Sequence, residues 1–237
     1  VWADLYRIPY ECKKVDENFR IVKEDYYPEN GGVIFPNPNA PTSIYEDLEF
    51  VEDIIRHNQD VIVIVDEAYI DFAGESALSL LDKYDNLIIT QTFSKARSMA
   101  GMRIGYAIAS PLLIKYLNDA KYSFNSYTMN KTSLVYGVEA VKDKEYFAET
   151  TRKIVETRDW AEEEFKKLGF VFPKPSANFI FVSHPEYDAK ELFEAMKAKG
   201  IYVRFWGSER IEQYLRVTIG TREEMEALFA FLREYMK

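Results

Sequence analysis

The sequence predicts an α/β fold: a mostly parallel sheet flanked by helices, followed by a smaller α+β region. Three observations predict it. Apolar β-branched runs, "VIVIV" (Val61 to Val65) above all, alternate with segments whose apolar residues recur at helical spacing. The polar residues able to do chemistry come directly after those runs, where an open α/β sheet presents its strand ends. From about Lys142 the pattern changes to one long amphipathic stretch followed by short strands and helices.

The elements follow in order. "GGVIFP" (Gly31 to Pro36) reads as a first strand running into the turn cluster "NPNAPTS". Ser43 and Glu46, three apart, form a capping-box pattern for a helix carrying Leu48, Val51, Ile54 and Ile55. "VIVIV" reads as a strand buried on both faces. "NLIIT" (Asn86 to Thr90) and "RIGYAIA" (Arg103 to Ala109) read as further strands with parallel neighbours. Ser110-Pro111 opens a helix with proline at its first position. The later amphipathic stretch places Phe147, Ile154, Ala161, Phe165 and Leu168 at helical spacing and stops at Gly169, a left-handed cap. "NFIFV", "IYVRFW" and "YLRVTIG" read as three strands, with a helix over Glu191 to Lys199 between the first two. A last helix, capped by Thr221 with Glu224, buries Met225, Leu228, Phe229 and Leu232. The expected division is a first domain over 1–141 and a second over 142–237.

The totals narrow the function. The 237 residues, 47% hydrophobic and 15% aromatic, suffice for a sizeable core. The net charge of −9, from 30 basic and 39 acidic residues, argues against a nucleic-acid partner. No apolar run approaches a membrane span and no signal peptide opens the chain. The single cysteine, Cys12, excludes an internal disulfide and points to a reducing, cytoplasmic setting. "VWADLYRIPY" lacks an initiator methionine and reads as the middle of a longer protein. Glycine-rich phosphate loops are absent. The two histidines, His57 and His184, stand apart from other metal-type ligands and read as surface or loop residues, so metal and Cys/His nucleophile chemistry are disfavoured.

What remains is a set of acids, amines and hydroxyls at strand ends. Asp66 follows five aliphatic residues, and Tyr69 comes three positions later. Lys95 follows the "NLIIT" strand, where low dielectric favours a neutral, nucleophilic amine. Thr92 and Ser94 offer hydroxyls, Arg103 offers a cation suited to phosphate, and Gly101 with its small neighbours leaves room for a ligand. Pyridoxal 5′-phosphate (PLP) needs this combination: a Schiff-base lysine, a carboxylate on the pyridinium nitrogen and donors to the phosphate. The plainer alternative makes Asp66 and Lys95 a structural ion pair.

"DEAYIDF", "TFSKARSMAGMRIGY" and "YLRVTIGT" resemble the fold-type I PLP-dependent aminotransferases, and within them the histidinol-phosphate aminotransferases. The resemblance spans essentially the whole chain. It implies that Lys95 carries the cofactor and the proton, that Asp66 pairs with the pyridine nitrogen, and that Tyr69 donates to the ring's phenolic oxygen. Thr92, Ser94 and Arg103 would hold the phosphate. Arg216 would bind the substrate carboxylate, with Arg204 and Asn178 in the substrate site; a strand-end asparagine satisfying backbone is the other reading of Asn178. Asn39 is a further cofactor candidate, although the family's ring-contacting asparagine falls on Ala40, and Ser43 stands where the family has glycine. The resemblance also implies a homodimer, amino and 2-oxo acid substrates, a role in histidine biosynthesis, and an incomplete large PLP-binding domain, since the family's N-terminal arm and phosphate-binding glycine loop have no match before Val1. The alternatives are a non-catalytic remnant of this fold and a related PLP enzyme, an aromatic aminotransferase or a threonine-phosphate decarboxylase.

Overall fold

A computed structural model describes residues 1–237, the side chain of Trp2 excepted. After a short helix α1 (Trp2–Tyr6), the chain builds β1 (Val33–Pro36), α2 (Leu48–His57), β2 (Val63–Asp66), β3 (Leu87–Thr92) and β4 (Gly105–Ala109). These strands form one sheet in the order β1-β2-β3-β4. β1, β2 and β3 run parallel, whereas β4 is antiparallel to β3. The expected parallel neighbour fails at β4 for a geometric reason. Residues 93–104 join β3 to β4 with one 3₁₀ turn, Ala100–Met102, and no helix to carry the chain back across the sheet, so β4 returns antiparallel beside β3.

β2 differs from expectation as well. Val63 and Val65 are fully buried, but Ile64 between them is only half-buried, and Ile34 on neighbouring β1 is 67% exposed. One face of this sheet packs on α2 through Val51, Ile54 and Ile55, while the other face is incompletely covered by the described residues.

The capping box at Ser43 is not formed. Helix α2 starts four residues later, with Asp47 as its N-cap accepting from the Phe50 amide at 2.9 Å. Ser43 is fully buried and left-handed, φ 66°, and Glu46 is buried against Arg20, so neither is free to cap. The helix-spaced residues Val51, Ile54 and Ile55 were nevertheless legible as its buried face.

α3 (Pro111–Phe124) begins with Pro111 at its first position, as expected, and α4 (Lys131–Lys142) follows. α5 (Lys144–Lys167) is 24 residues long, capped by Asp143 and closed by Gly169 at φ 83°. A Cβ there would meet His184 Nε2 at 2.9 Å, so both the backbone conformation and the close approach require glycine. The second sheet comprises β5 (Phe179–Val182), β6 (Arg204–Phe205) and β7 (Leu215–Thr218), in the order β5-β7-β6, all antiparallel. "IYVRFW" supplies only the two residues of β6. α5, α6 (Ala189–Ala198) and α7 (Arg222–Tyr235) cover this sheet around Phe165, Ile180, Leu192 and Phe229. α7 carries the expected capping box between Thr221 and Glu224.

Candidate active site

Parallel pairing brings the carboxyl ends of β2 and β3 to one edge, with Asp66 opposite Thr90. Asp66 Oδ1 accepts hydrogen bonds from the Ala68 amide at 3.1 Å and the Thr90 hydroxyl at 3.3 Å. Tyr69 follows at the start of the 3₁₀ turn Ile70–Phe72. β3 continues through Thr92, and three residues later the half-buried Lys95 places Nζ 5.0 Å from the centre of the Tyr69 ring. Among the described residues no carboxylate lies within ion-pair distance of Lys95, so the structural Asp66–Lys95 pair is not formed.

The loop from Phe93 to Ile104 folds onto itself, the Phe93 amide donating to Ile104 O at 3.1 Å and the Met99 amide to Phe93 O at 3.0 Å. Thr92 Oγ1 donates to Ile104 O at 3.2 Å and accepts from the Ser94 amide at 3.1 Å. Arg103 is exposed and left-handed, φ 57°, with Nη1 donating to Ala100 O at 2.9 Å. A Cβ added to Gly101 would meet nothing within 4 Å, so the protein's own packing does not demand glycine there and the space beside the loop is open. Asn39 is half-buried in the turn after β1, its backbone bonded to Ile44 and Ser43. Asn37, not Asn39, is the buried asparagine of that turn, and its amide bonds the Glu46 backbone in both directions at 2.8 Å.

The second sheet brings up the remaining candidates. Phe179, 2% exposed, meets Tyr69 edge-to-face at 5.1 Å. The Arg216 guanidinium lies 5.0 Å from the centre of the Phe179 ring and 5.4 Å from that of Trp206, and the Arg204 guanidinium lies 5.3 Å from the same Trp206 ring. Arg204 and Arg216 are direct cross-strand neighbours, and the buried Nε of Arg216 has no hydrogen-bond partner. Asn178 precedes Phe179, and its carbonyl accepts from the Ile219 amide at 2.9 Å.

Two buried side chains join the halves of this site. Ser43 Oγ accepts from the Ser176 amide at 3.0 Å and the Ala177 amide at 2.7 Å. Arg158 donates to Phe72 O at 2.9 Å and Ala177 O at 3.1 Å. Sequence reasoning missed both, along with Phe179, Trp206 and Glu67. The one available signal was Ser43 itself, a serine in place of the resembled family's glycine. Glu67, next to Asp66, points into the opposite face, where it accepts from Ser76, the Ala77 amide and Gln91. Burial holds its carboxyl above the usual range against the pull of those donors. A groove of about 300 Å³ behind the lysine loop is lined by Arg97, Tyr136 and Phe147, and Lys95 does not line it.

The edge of an α/β sheet thus carries a lysine without a carboxylate partner and a strand-end carboxylate, faced by an arginine pair from the second sheet, as in a group-transfer enzyme fold. The chain belongs to the aminotransferase class I and II family, whose profile it matches over residues 2–232. It is 44% identical to the histidinol-phosphate aminotransferase of Lactococcus lactis subsp. lactis over its whole length, covering 66% of that protein. It is 46% identical to the histidinol-phosphate aminotransferase of Clostridium botulinum (strain Okra) over 95% of the chain, covering 64% of that relative. The chain thus spans slightly less than two-thirds of the length of these curated relatives. The crystal structure of the histidinol-phosphate aminotransferase from Clostridium acetobutylicum superposes with a TM-score of 0.91 at 23% identity, over 99% of this chain and 73% of that one. A second structure, the Sinorhizobium meliloti enzyme in complex with pyridoxal-5′-phosphate, gives 0.77 at 27% identity over 87% and 57% of the two chains.

Proposed function

We propose that this chain carries the lysine-bearing and substrate-carboxylate side of a PLP-dependent aminotransferase acting on histidinol phosphate or a similar amine, with 2-oxoglutarate as the amino acceptor. The observation that carries the reading is the unpaired Lys95 amine beside Tyr69, with Asp66 at the neighbouring strand end. The residues fit the cofactor in kind: an amine to hold it, a carboxylate for its ring nitrogen, a phenol for its ring oxygen, and Ser94, Thr92 and Arg103 beside open space for its phosphate. Asn39 is the weakest member of this set, because its backbone bonds serve the turn. PLP, when bound, supplies an electron sink for the substrate's Cα–H electrons.

The chain's own residues then divide the work. Arg216 would hold the substrate carboxylate with its guanidinium and so aim the reacting carbon at the lysine. Lys95 Nζ, freed from carboxylate partners, takes the Cα proton and returns it one position away. Asp66, held by Ala68 and Thr90, would pair with the ring nitrogen of the bound cofactor. Asn178 borders the substrate. The relatives' names support the histidinol-phosphate substrate. We also propose a homodimer, a cytoplasmic setting, and a boundary near residue 142 between the two parts of the chain; no described helix is long and apolar enough to cross a membrane.

The test is cofactor capture. PLP added to the chain should give visible absorbance that borohydride fixes onto Lys95, and Lys95→Ala should abolish the fixed adduct. A lysine-linked adduct that survives in Lys95→Ala would overturn the assignment. Turnover of histidinol phosphate with 2-oxoglutarate separates an active chain from one that only binds.

A further inference from the structure

The turn 16–20 joins the two parts of the chain. Its flanks belong to the first part: Ile21 is buried in the core of the first sheet, Val15 packs against that core, and Arg20 pairs with the buried Glu46 just before α2. The turn is closed on itself. Asp16 Oδ1 accepts from the Asn18 and Arg20 amides, both at 2.8 Å, and the Phe19 amide donates to Asp16 O at 3.1 Å. Phe19 is left-handed, φ 63°, a conformation that a bulky side chain keeps only where its surroundings hold it. What holds it is the second sheet. The Phe19 ring stands edge-on to Phe181 at 5.7 Å and to Tyr214 at 5.1 Å, and those two rings stack on each other at 4.5 Å. From the loop before β7, Arg210 donates to Val15 O at 2.9 Å and to Asp16 O at 2.6 Å.

The two rings that Phe19 meets flank Arg216. Phe181 is the cross-strand partner of Arg216, and Tyr214 precedes it by two residues, so the three side chains stand on one face of the sheet. It is the face that Phe179 presents to Tyr69, beside Lys95. We propose that Phe19 is a positioning residue: it clasps the second sheet to the first and so sets where Arg216 stands relative to Lys95. The inference rests on the reading of Lys95 as the cofactor amine and Arg216 as the substrate-carboxylate residue; Phe19 itself acts only through Phe181 and Tyr214. The buried links made by Ser43 and Arg158 reach the second part at Ser176 and Ala177, before β5 begins. They hold that end alone. Without Phe19 the parts stay joined there, while the end carrying Phe181, Tyr214 and Arg216 is free to swing.

The clasp is tested by spin-label distances between α2 and α6, with cysteines placed at the exposed Arg56 and Lys197 on a Cys12→Ser background. The distribution should be narrow with Phe19 present, broad in Phe19→Ala and narrow again in Phe19→Tyr, which keeps the ring. Arg210→Met removes the donors to Val15 and Asp16 from the other side, and it should broaden the distribution in the same way should Phe19→Ala not fold. A distribution unchanged by loss of the ring or of these donors overturns the inference. The consequence for the site is read with two stable probes, phosphopyridoxyl-alanine and phosphopyridoxyl-ethylamine, which differ only in a carboxylate. The wild-type chain should bind the first about tenfold more tightly. Phe19→Ala should cut that preference below about threefold while leaving the affinity for phosphopyridoxyl-ethylamine within about twofold. A general structural role for Phe19 predicts equal losses for both probes, and equal losses, or an unchanged preference, overturn the inference. Binding of neither probe by the wild-type chain counts against the cofactor reading, and the spin-label distances then decide the clasp by themselves.

Discussion

α3 and α7 are both 14 residues long, and both carry apolar residues at helical spacing. α7 buries Met225, Leu228, Phe229 and Leu232, with Phe229 set against Phe165 at 4.8 Å and Trp160 at 5.2 Å. α3 buries no residue, and its Leu112, Tyr116, Leu117, Tyr122 and Phe124 are exposed. α4, which follows it, exposes Leu134, Val135, Tyr136, Val138 and Val141. The difference lies in the surfaces the helices meet. α7 lies on a three-stranded sheet and on α5, whereas α3 follows β4, the edge strand of its sheet. Helices of this length gain most of their stability from the surface they cover, so the same pattern gives a core helix in one place and an exposed apolar face in the other. Clustered exposed apolar residues mark an interaction face, which fits the proposed homodimer.

The largest test of this contrast is truncation of matched phenylalanines. Phe229→Ala, at a site with no exposure, should cost about 3–5 kcal/mol in urea unfolding. Phe124→Ala, at 77% exposure, should stay within about 0.5 kcal/mol. Similar costs at the two positions would remove the distinction. The caps give a smaller effect. Thr221 accepts from the Glu224 amide, so Thr221→Ala should cost about 1 kcal/mol. The Ser110 hydroxyl donates to Asp85 O and caps nothing in its own helix, so Ser110→Ala should cost less than half as much in the same assay. The double variant Leu117→Glu with Phe124→Glu should change stability by no more than about 0.5 kcal/mol for each substitution. Its effect should appear as a lower sedimentation-average mass at fixed concentration. If association is unchanged, α3 is not the interaction face.

Much of the fold was legible residue by residue. Ser110-Pro111, Gly169 and the Thr221–Glu224 box marked helix ends correctly because capping is local chemistry, settled within a few residues. Leu48, Val51, Ile54 and Ile55 stood out by helical spacing, and Val51, Ile54 and Ile55 are the buried residues of α2. Ser43 was misread, because serine three residues before glutamate satisfies the capping pattern whether or not the chain continues as a helix. Its buried, left-handed position depends on Ser176 and Ala177, more than 130 residues away. The candidate site shows the same split. Asp66, Tyr69 and Lys95 could be picked out by chemical type at strand ends, but Phe179 and Trp206 look like ordinary strand residues until two sheets meet.

The sequence alone determined which groups are available: a lysine without a neighbouring acid in the chain, an aspartate after an apolar strand, arginines in the late strands, and helix ends marked by their own caps. These follow from side-chain chemistry and local backbone preference, which need no distant partner. Only the tertiary structure decided that β4 runs antiparallel, that α7 is seated while α3 is not, and that aromatic rings link Lys95 to Arg216 and Arg204. Each of those outcomes depends on residues far apart in sequence meeting across two sheets, where loop length and the available surface set the geometry.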